Sequence, residues 1–255
     1  MSADLLAAFS RIAESAGKVI LRHYRAGTGA RLKSDSTPVT EADEDAEAVI
    51  LPALAELLPG VVCVAEEACA QGGPPSIERS GRFILIDPLD GTREFLAGNG
   101  EFTVNIALIE AGRPTHGVVH LPALGTTYVG GPSGATLAVA GEPSQPIVAR
   151  AKPADGVIVL ASRSHNKGDA LERYLADHHV AERVAAGSSL KFCRIAEGLA
   201  DLYPRFGRTM EWDTAAGHAV LAAAGGRVTT IDGEPLLYGK PGFENPDFVA
   251  RGRWQ

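Results

Sequence analysis

Two carboxylates three residues apart are the first sign of chemistry in this chain. Asp87 and Asp90 sit in the run Asp87, Pro88, Leu89, Asp90, Gly91, Thr92, directly after the apolar residues Phe83, Ile84, Leu85 and Ile86. Four apolar residues bounded by turn formers read as a buried strand. Pro88 lacks a backbone donor, so strand pairing is expected to stop there. A hard cation such as Mg²⁺ takes oxygen ligands on a stiff loop, and two Asp at a strand end supply them. Leu89 has no ligating side chain, but its carbonyl, freed from pairing, can serve. Gly91 permits close backbone approach to a ligand. Thr92 offers a hydroxyl, and the N–H groups after it suit an anion at a helix start. A plain turn explains Asp, Pro and Gly but needs neither the second Asp nor the Thr. The acidic alternation of an EF-hand loop is broken by Pro88 and Leu89.

A second acidic pair, Glu66 and Glu67, follows another short apolar run at residues 61–65. Paired Glu are usually solvated loop charges. Two such pairs at the ends of buried strands are also expected to meet at one sheet edge. Late in the chain, Trp212 and Asp213 precede an Ala-rich helix, where a carboxylate by itself is a cap.

The elements that must position these groups follow from periodicity. Residues 3–25 repeat apolar side chains at helical spacing, and Gly27 and Gly29 end them. Thr40, Glu41 and Asp43 open a second helix running to about residue 58, with a break expected at Pro52. On spacing alone Asp43 is a capping residue. A Gly/Pro/Ser loop is expected over residues 70–82. Residues 103–109, 114–121, 126–129 and 135–139 read as hairpin strands. The second half alternates: strands at 157–161, 180–185, 202–206 and 227–231, and helices at 167–178, from about 190, and at 213–224. Stacked sheets and helices with a cleft between halves are expected, and we divide the chain into residues 1–130 and 131–255.

The net charge of −7 over 255 residues argues against a nucleic-acid polymer as partner. The charge is uneven. Residues 1–130 hold 10 Lys and Arg against 17 Asp and Glu, and the remainder is neutral, with basic groups available for an anionic substrate. The three cysteines lack metal-ligand spacing and read as reduced thiols of a cytoplasmic protein. No basic-then-apolar leader and no 18-residue apolar run is present, so neither a signal peptide nor a membrane span is expected.

Taken together, Glu66 and Glu67, the Asp87–Thr92 motif, and Trp212 with Asp213 resemble the inositol monophosphatase superfamily of Mg²⁺-dependent, lithium-sensitive phosphatases. The stretches Asn99 to Leu108, Ser162-Arg163-Ser164-His165, Gly187-Ser188-Ser189-Leu190-Lys191, Tyr203-Pro204-Arg205-Phe206 and Trp212 to His218 are similar to its CysQ-type 3′(2′),5′-bisphosphate nucleotidase branch. The resemblance implies an α/β fold of the α+β sandwich kind, layered α-β-α-β-α as in sugar phosphatases, with the metal site in the cleft between halves.

It further implies that Glu66, Asp87, Asp90, Asp213 and the Leu89 carbonyl hold two or three Mg²⁺ ions, with Li⁺ and Ca²⁺ as inhibitors. Asp43 and Thr92, near Glu66, would then activate water, a role that replaces the capping reading of Asp43. Gly91 and Thr92 would cradle the scissile phosphate. Ser162, His165, Ser188, Ser189, Lys191 and Arg205 would hold the rest of a nucleotide, with Glu211 and Asp213 beside it. Plainer readings stand next to these: Ser188 or Ser189 as a helix cap, His165 as a surface loop residue, and Lys191 as a side chain stretched over a helix face.

The implied reaction is removal of the 3′-phosphate of adenosine 3′,5′-bisphosphate, a by-product of sulfate assimilation. An inositol or fructose-bisphosphatase-like activity is the alternative, and a non-catalytic phosphate or metal sensor a second one. A homodimer and a peripheral place on the inner membrane are further expectations that the family carries.

Overall fold

The computed structural model describes residues 2–27, 29–32, 38–77, 81–162 and 168–254. In chain order the first half contains α1 (Ser2–Ala26), β1 (Arg31–Leu32), β2 (Pro38–Val39), α2 (Glu41–Leu57), β3 (Val62–Ala65), α3 (Glu66–Gly72), β4 (Arg82–Asp90), α4 (Thr92–Leu96), β5 (Thr103–Glu110), β6 (Arg113–Leu121), β7 (Thr126–Gly131), β8 (Gly134–Val139) and β9 (Gln145–Ile147). The second half contains β10 (Val157–Ala161), α5 (Gly168–Leu175), β11 (Val180–Ala185), α6 (Leu190–Ala196), β12 (Leu202–Arg205), a 3₁₀ turn (Glu211–Asp213), α7 (Ala215–Ala223), β13 (Arg227–Thr230) and β14 (Phe248–Arg251).

These elements form five layers. Strands β3 to β9 make a seven-stranded sheet in sequence order, parallel only between β3 and β4. Its outer face takes the apolar stripe of α1 (Phe9, Ala13, Ala16, Ile20) and the buried side of α2 (Ala46, Ile50, Leu54). Its inner face packs on α6 and α7. The five-stranded sheet, ordered β11-β10-β12-β14-β13, covers those helices from the other side. Helix α5 closes the outer face of this second sheet through Leu171 and Leu175 against Val159, Leu202 and Val249. The α-β-α-β-α order that the resemblance implied is therefore the observed one.

Close layer contact has a local cause. A Cβ at Gly130 would lie 2.4 Å from the Val220 Cα, so only glycine lets the Ala-rich α7 lie against β7. Burial of the large side chains Phe83, Phe192 and Phe248 between layers supplies much of the driving force, at about 25 cal/mol per Å² of apolar surface.

Several boundaries differ from the sequence reading. Helix α2 runs through Pro52 to Leu57 because Ile50 and Leu54 bury its flank on both sides of the proline. Strand β4 does not stop at Pro88. It bulges between Asp87 and Asp90, and Asp90 pairs with Thr103 of β5. Glu66 and Glu67 begin α3 in a segment expected to become a loop after residue 70. The short strands β1, β2 and β9 and the last strand, β14, were absent from that reading. Strand β14 is inserted between β12 and β13. Residue 130 falls inside β7, so the first sheet extends past the expected half-chain boundary to Ile147.

Candidate active site

The end of β4 sets the geometry. The bulge after Asp87 lets the Leu89 N–H donate to Asp87 Oδ1 at 3.0 Å, which turns that carboxylate back over the loop. Gly91 then adopts φ +90°, left-handed backbone that favours glycine, and Thr92 starts α4. Thr92 Oγ1 donates to Asp43 Oδ1 at 3.3 Å and lies 3.5 Å from the Leu89 carbonyl. The other Asp43 oxygen accepts from both the N–H and the hydroxyl of Thr40, each at 2.8 Å. Asp43 therefore is the cap that spacing predicted and also the partner of Thr92. One carboxylate oxygen serves each role.

Glu66 is fixed from beneath. The N–H groups of Glu67 and Ala68, in the first turn of α3, donate to the two oxygens of Glu47 at 2.9 and 2.8 Å. Glu47 lies one turn after Asp43 on α2, so one helix face holds both Thr92 and the start of α3. Sequence reading passed over Glu47, although its spacing of four from Asp43 was a usable signal. Asp213 ends the 3₁₀ turn, and its Oδ2 accepts from the Met210 N–H at 2.9 Å.

Glu66, Asp87 and Asp213 each present a carboxylate oxygen within 4.8 Å of the others. Asp90 stands beside them with its Oδ2 on the Ser189 N–H at 2.6 Å. Burial, reinforced by Glu66, Asp90, Asp213 and Asp43, holds the Asp87 carboxyl well above the usual range. Burial, then Asp90 and Glu66, does the same to Asp213. Asp90 is pushed up to about 6, chiefly by burial, with Lys191 opposing. Crowded, largely enclosed, all-oxygen donors with so little compensating charge suit a hard divalent cation, whose charge would reverse these shifts.

The second half faces this cluster across a cleft of about 430 Å³, within the usual range for a small-molecule site. Ser162, Ser188, Lys191 and Arg205 line it, with Tyr203, Arg208, Met210 and Trp212. Lys191 is buried. Its Nζ donates to the Ser188 carbonyl at 2.7 Å and sits 5.1 Å from the Tyr203 ring centre. Burial lowers its pKa to about 8, with Asp90 opposing and Arg205 adding to the shift. Arg205 is also buried and donates through Nη2 to the Arg208 carbonyl at 3.2 Å. Its Nε has no partner among the described residues.

Ser188 and Ser189 separate in role. Ser188 lines the cleft with φ +44°, held by a 2.8 Å bond from its hydroxyl to the Glu101 carbonyl. Ser189 precedes α6 but its hydroxyl caps nothing. It donates to the Asp213 carbonyl at 2.7 Å, buried behind the carboxylates. Glu211 is not brought to the cleft. Its carboxylate is fully buried, accepts from the Gly239 and Lys240 N–H groups and pairs with Lys240 Nζ at 2.6 Å. The reading of Glu211 as a substrate contact is thus corrected: it anchors the 239–240 backbone. His165 lies outside the described residues. His218 is half-buried and bonds the Tyr238 hydroxyl, consistent with a structural role.

This fold and carboxylate cleft have known counterparts. The inositol monophosphatase family model matches residues 2–251, and the chain belongs to that family. Within it, the 3′(2′),5′-bisphosphate nucleotidase CysQ of Escherichia coli is 43% identical over 244 residues, 93% of this chain and 96% of the relative. The CysQ of Buchnera aphidicola is 40% identical, covering 94% and 91%. The crystal structure of CysQ from Bacteroides thetaiotaomicron superposes with a TM-score of 0.80 at 34% identity, over 100% of this chain and 99% of that one. An inositol monophosphatase from Thermotoga maritima shares the fold, with a TM-score of 0.77 at 24% identity. No helix among the described residues is long and apolar enough to cross a membrane.

Proposed function

We propose that this protein hydrolyses the 3′-phosphate of adenosine 3′,5′-bisphosphate, giving AMP and phosphate, with Mg²⁺ held by Glu66, Asp87, Asp90, Asp213 and the Leu89 carbonyl. The observation that carries the substrate assignment is the buried pair Lys191 and Arg205 across the cleft from the carboxylates. Asp90 offsets only part of the charge of this buried pair, and Arg205 Nε has no partner among the described residues, so a further anion would be received favourably. A second phosphate meets that need, and an inositol monophosphate lacks one. The high identity to proteins named CysQ supports the same reading.

Bound Mg²⁺ would neutralise phosphate charge and lower the pKa of the attacking water. The chain's own residues do the rest. With its proton donated to Asp43, the Thr92 hydroxyl turns a lone pair toward the cleft and orients that water. The two bonds from Thr40 keep Asp43 in place. Gly91 and Thr92 cradle the scissile phosphate. Lys191 acts as a point charge and Arg205 as a planar fork on the 5′-phosphate, with Ser162 and Ser188 at its edge. The same carboxylates would hold two or three Mg²⁺ ions, and Li⁺ or Ca²⁺ would inhibit by competing for them.

The test is phosphate release with Mg²⁺ from adenosine 3′,5′-bisphosphate, inositol 1-phosphate and fructose 1,6-bisphosphate. A preference for the nucleotide of about a hundredfold, or ~2.7 kcal/mol in transition-state binding, is expected. Lys191→Ala and Arg205→Ala should raise KM for the bisphosphate far more than for adenosine 3′-monophosphate. Equal effects on both, or a preference for either other substrate, would remove the nucleotide assignment and leave the metal chemistry standing.

A further inference from the structure

Asn105 is a buried polar residue in an otherwise apolar stretch of β5. It stands opposite Asp87 in the β4–β5 ladder. Its Nδ2 donates to Ser189 Oγ at 3.1 Å and, over a longer 3.4 Å, to Asp90 Oδ2. One –NH₂ carries two hydrogens, so a single side chain serves both acceptors. Ser189 continues the chain of bonds. Its N–H donates to the same Asp90 oxygen, and its hydroxyl donates to the Asp213 carbonyl. The Asp90 end of β4 and the Asp213 turn, 123 positions further on by these numbers, are thereby joined behind the cleft.

A second observation is independent of these bonds. Asn105 Oδ1 is buried with no hydrogen-bond partner among the described residues, and so is Thr103 Oγ1, two positions along the same face of β5. Leaving buried polar atoms unpaired lowers stability. A strand selected only for packing would carry apolar groups here. Asn105 does not line the cleft, so whatever it does is done through Asp90 and Ser189.

We propose that Asn105 is a positioning residue for the metal-holding carboxylates. With Ser189 it forms a hydrogen-bonded strut that sets Asp90 relative to Asp213. This rests on the reading of the carboxylates as a divalent-cation site. Groups that orient metal ligands from behind characteristically change affinity by 10–100-fold when removed. Asn105→Leu keeps the branching of the side chain, deletes both donors, and also deletes the unpaired Oδ1.

The experiment is direct Mn²⁺ binding to the full-length protein, followed by electron paramagnetic resonance, alongside the melting temperature in EDTA. Asn105→Leu should bind Mn²⁺ about tenfold more weakly with an unchanged or higher melting temperature. Ser189→Ala should weaken Mn²⁺ binding likewise, and the double variant should lose no more than the weaker-binding single. Thr127→Val, which breaks the buried His120–Thr127 bond outside the cleft lining, should leave Mn²⁺ affinity unmoved. Unchanged affinity in Asn105→Leu, additive losses in the double variant, or equal weakening in Thr127→Val would each overturn the strut. Should Asn105→Leu fail to fold, Ser189→Ala and Thr127→Val alone decide between these outcomes. A wild-type protein that binds no Mn²⁺ would instead overturn the cation site itself.

Discussion

The carboxylate cluster should make the metal-free protein less stable than its sequence could make it, and Asp90→Asn should recover that stability while ending turnover. In the fold the Asp90 carboxyl titrates at about 6 instead of 3.8. Two pKa units correspond to about 3 kcal/mol. Partial exposure of Asp90 and the loss of its attraction to Lys191 reduce the net gain to roughly 1–2 kcal/mol. The sign follows from proton binding. A carboxyl with a raised folded pKa contributes stability that is full below about pH 3.8 and is lost as pH rises through about 6. Asp87 and Asp213 shift in the same direction. In EDTA, wild-type stability in urea should therefore fall as pH rises from about 4 through about 6. Asp90→Asn should fall less and exceed wild type at the upper end, because the introduced amide oxygen still accepts the Ser189 N–H. Excess Mg²⁺ should raise wild-type stability by mass action and the variant's far less, and phosphate release by the variant should sit at background. A variant less stable than wild type in EDTA at about pH 8, or one that turns over at near wild-type rates with Mg²⁺, would refute this reasoning.

Two further outcomes test the supports of the site. Thr92→Val keeps the shape of the residue and removes the hydroxyl that bonds Asp43. Phosphate release should fall about 10²–10⁴-fold with stability within about 1 kcal/mol, and a loss under tenfold would sever Thr92 from water activation. Glu47→Leu leaves the Glu67 and Ala68 N–H groups without their acceptor. Urea titration should show a loss of about 2–4 kcal/mol, and Mn²⁺ binding should weaken as Glu66 loses its support. Unchanged stability would mean that those N–H groups find other partners.

Much of this protein was already determined by local sequence. Alternation and helical spacing fixed most elements, since α1, β4 to β8 and α7 bury regular apolar patterns against neighbours. The Asp87–Thr92 run placed its own carboxylates, because a bulge, a left-handed glycine and a helix start are local events. Tertiary structure decided the rest. Strand β14 could not be read as part of the second sheet because its register depends on β12 and β13, far away in sequence. Glu211 looked like a substrate contact beside Trp212 and Asp213, and the backbone of residues 239–240 claims it instead. Asp43 was ambiguous by spacing, since a capping carboxylate and a catalytic one share the same position until Thr92 arrives from 49 residues away. Asn105 gave only the signal of a polar residue in an apolar strand. Its partners come from β4 and from the start of α6, and only packing of the two sheets around α6 and α7 brings them within hydrogen-bond reach.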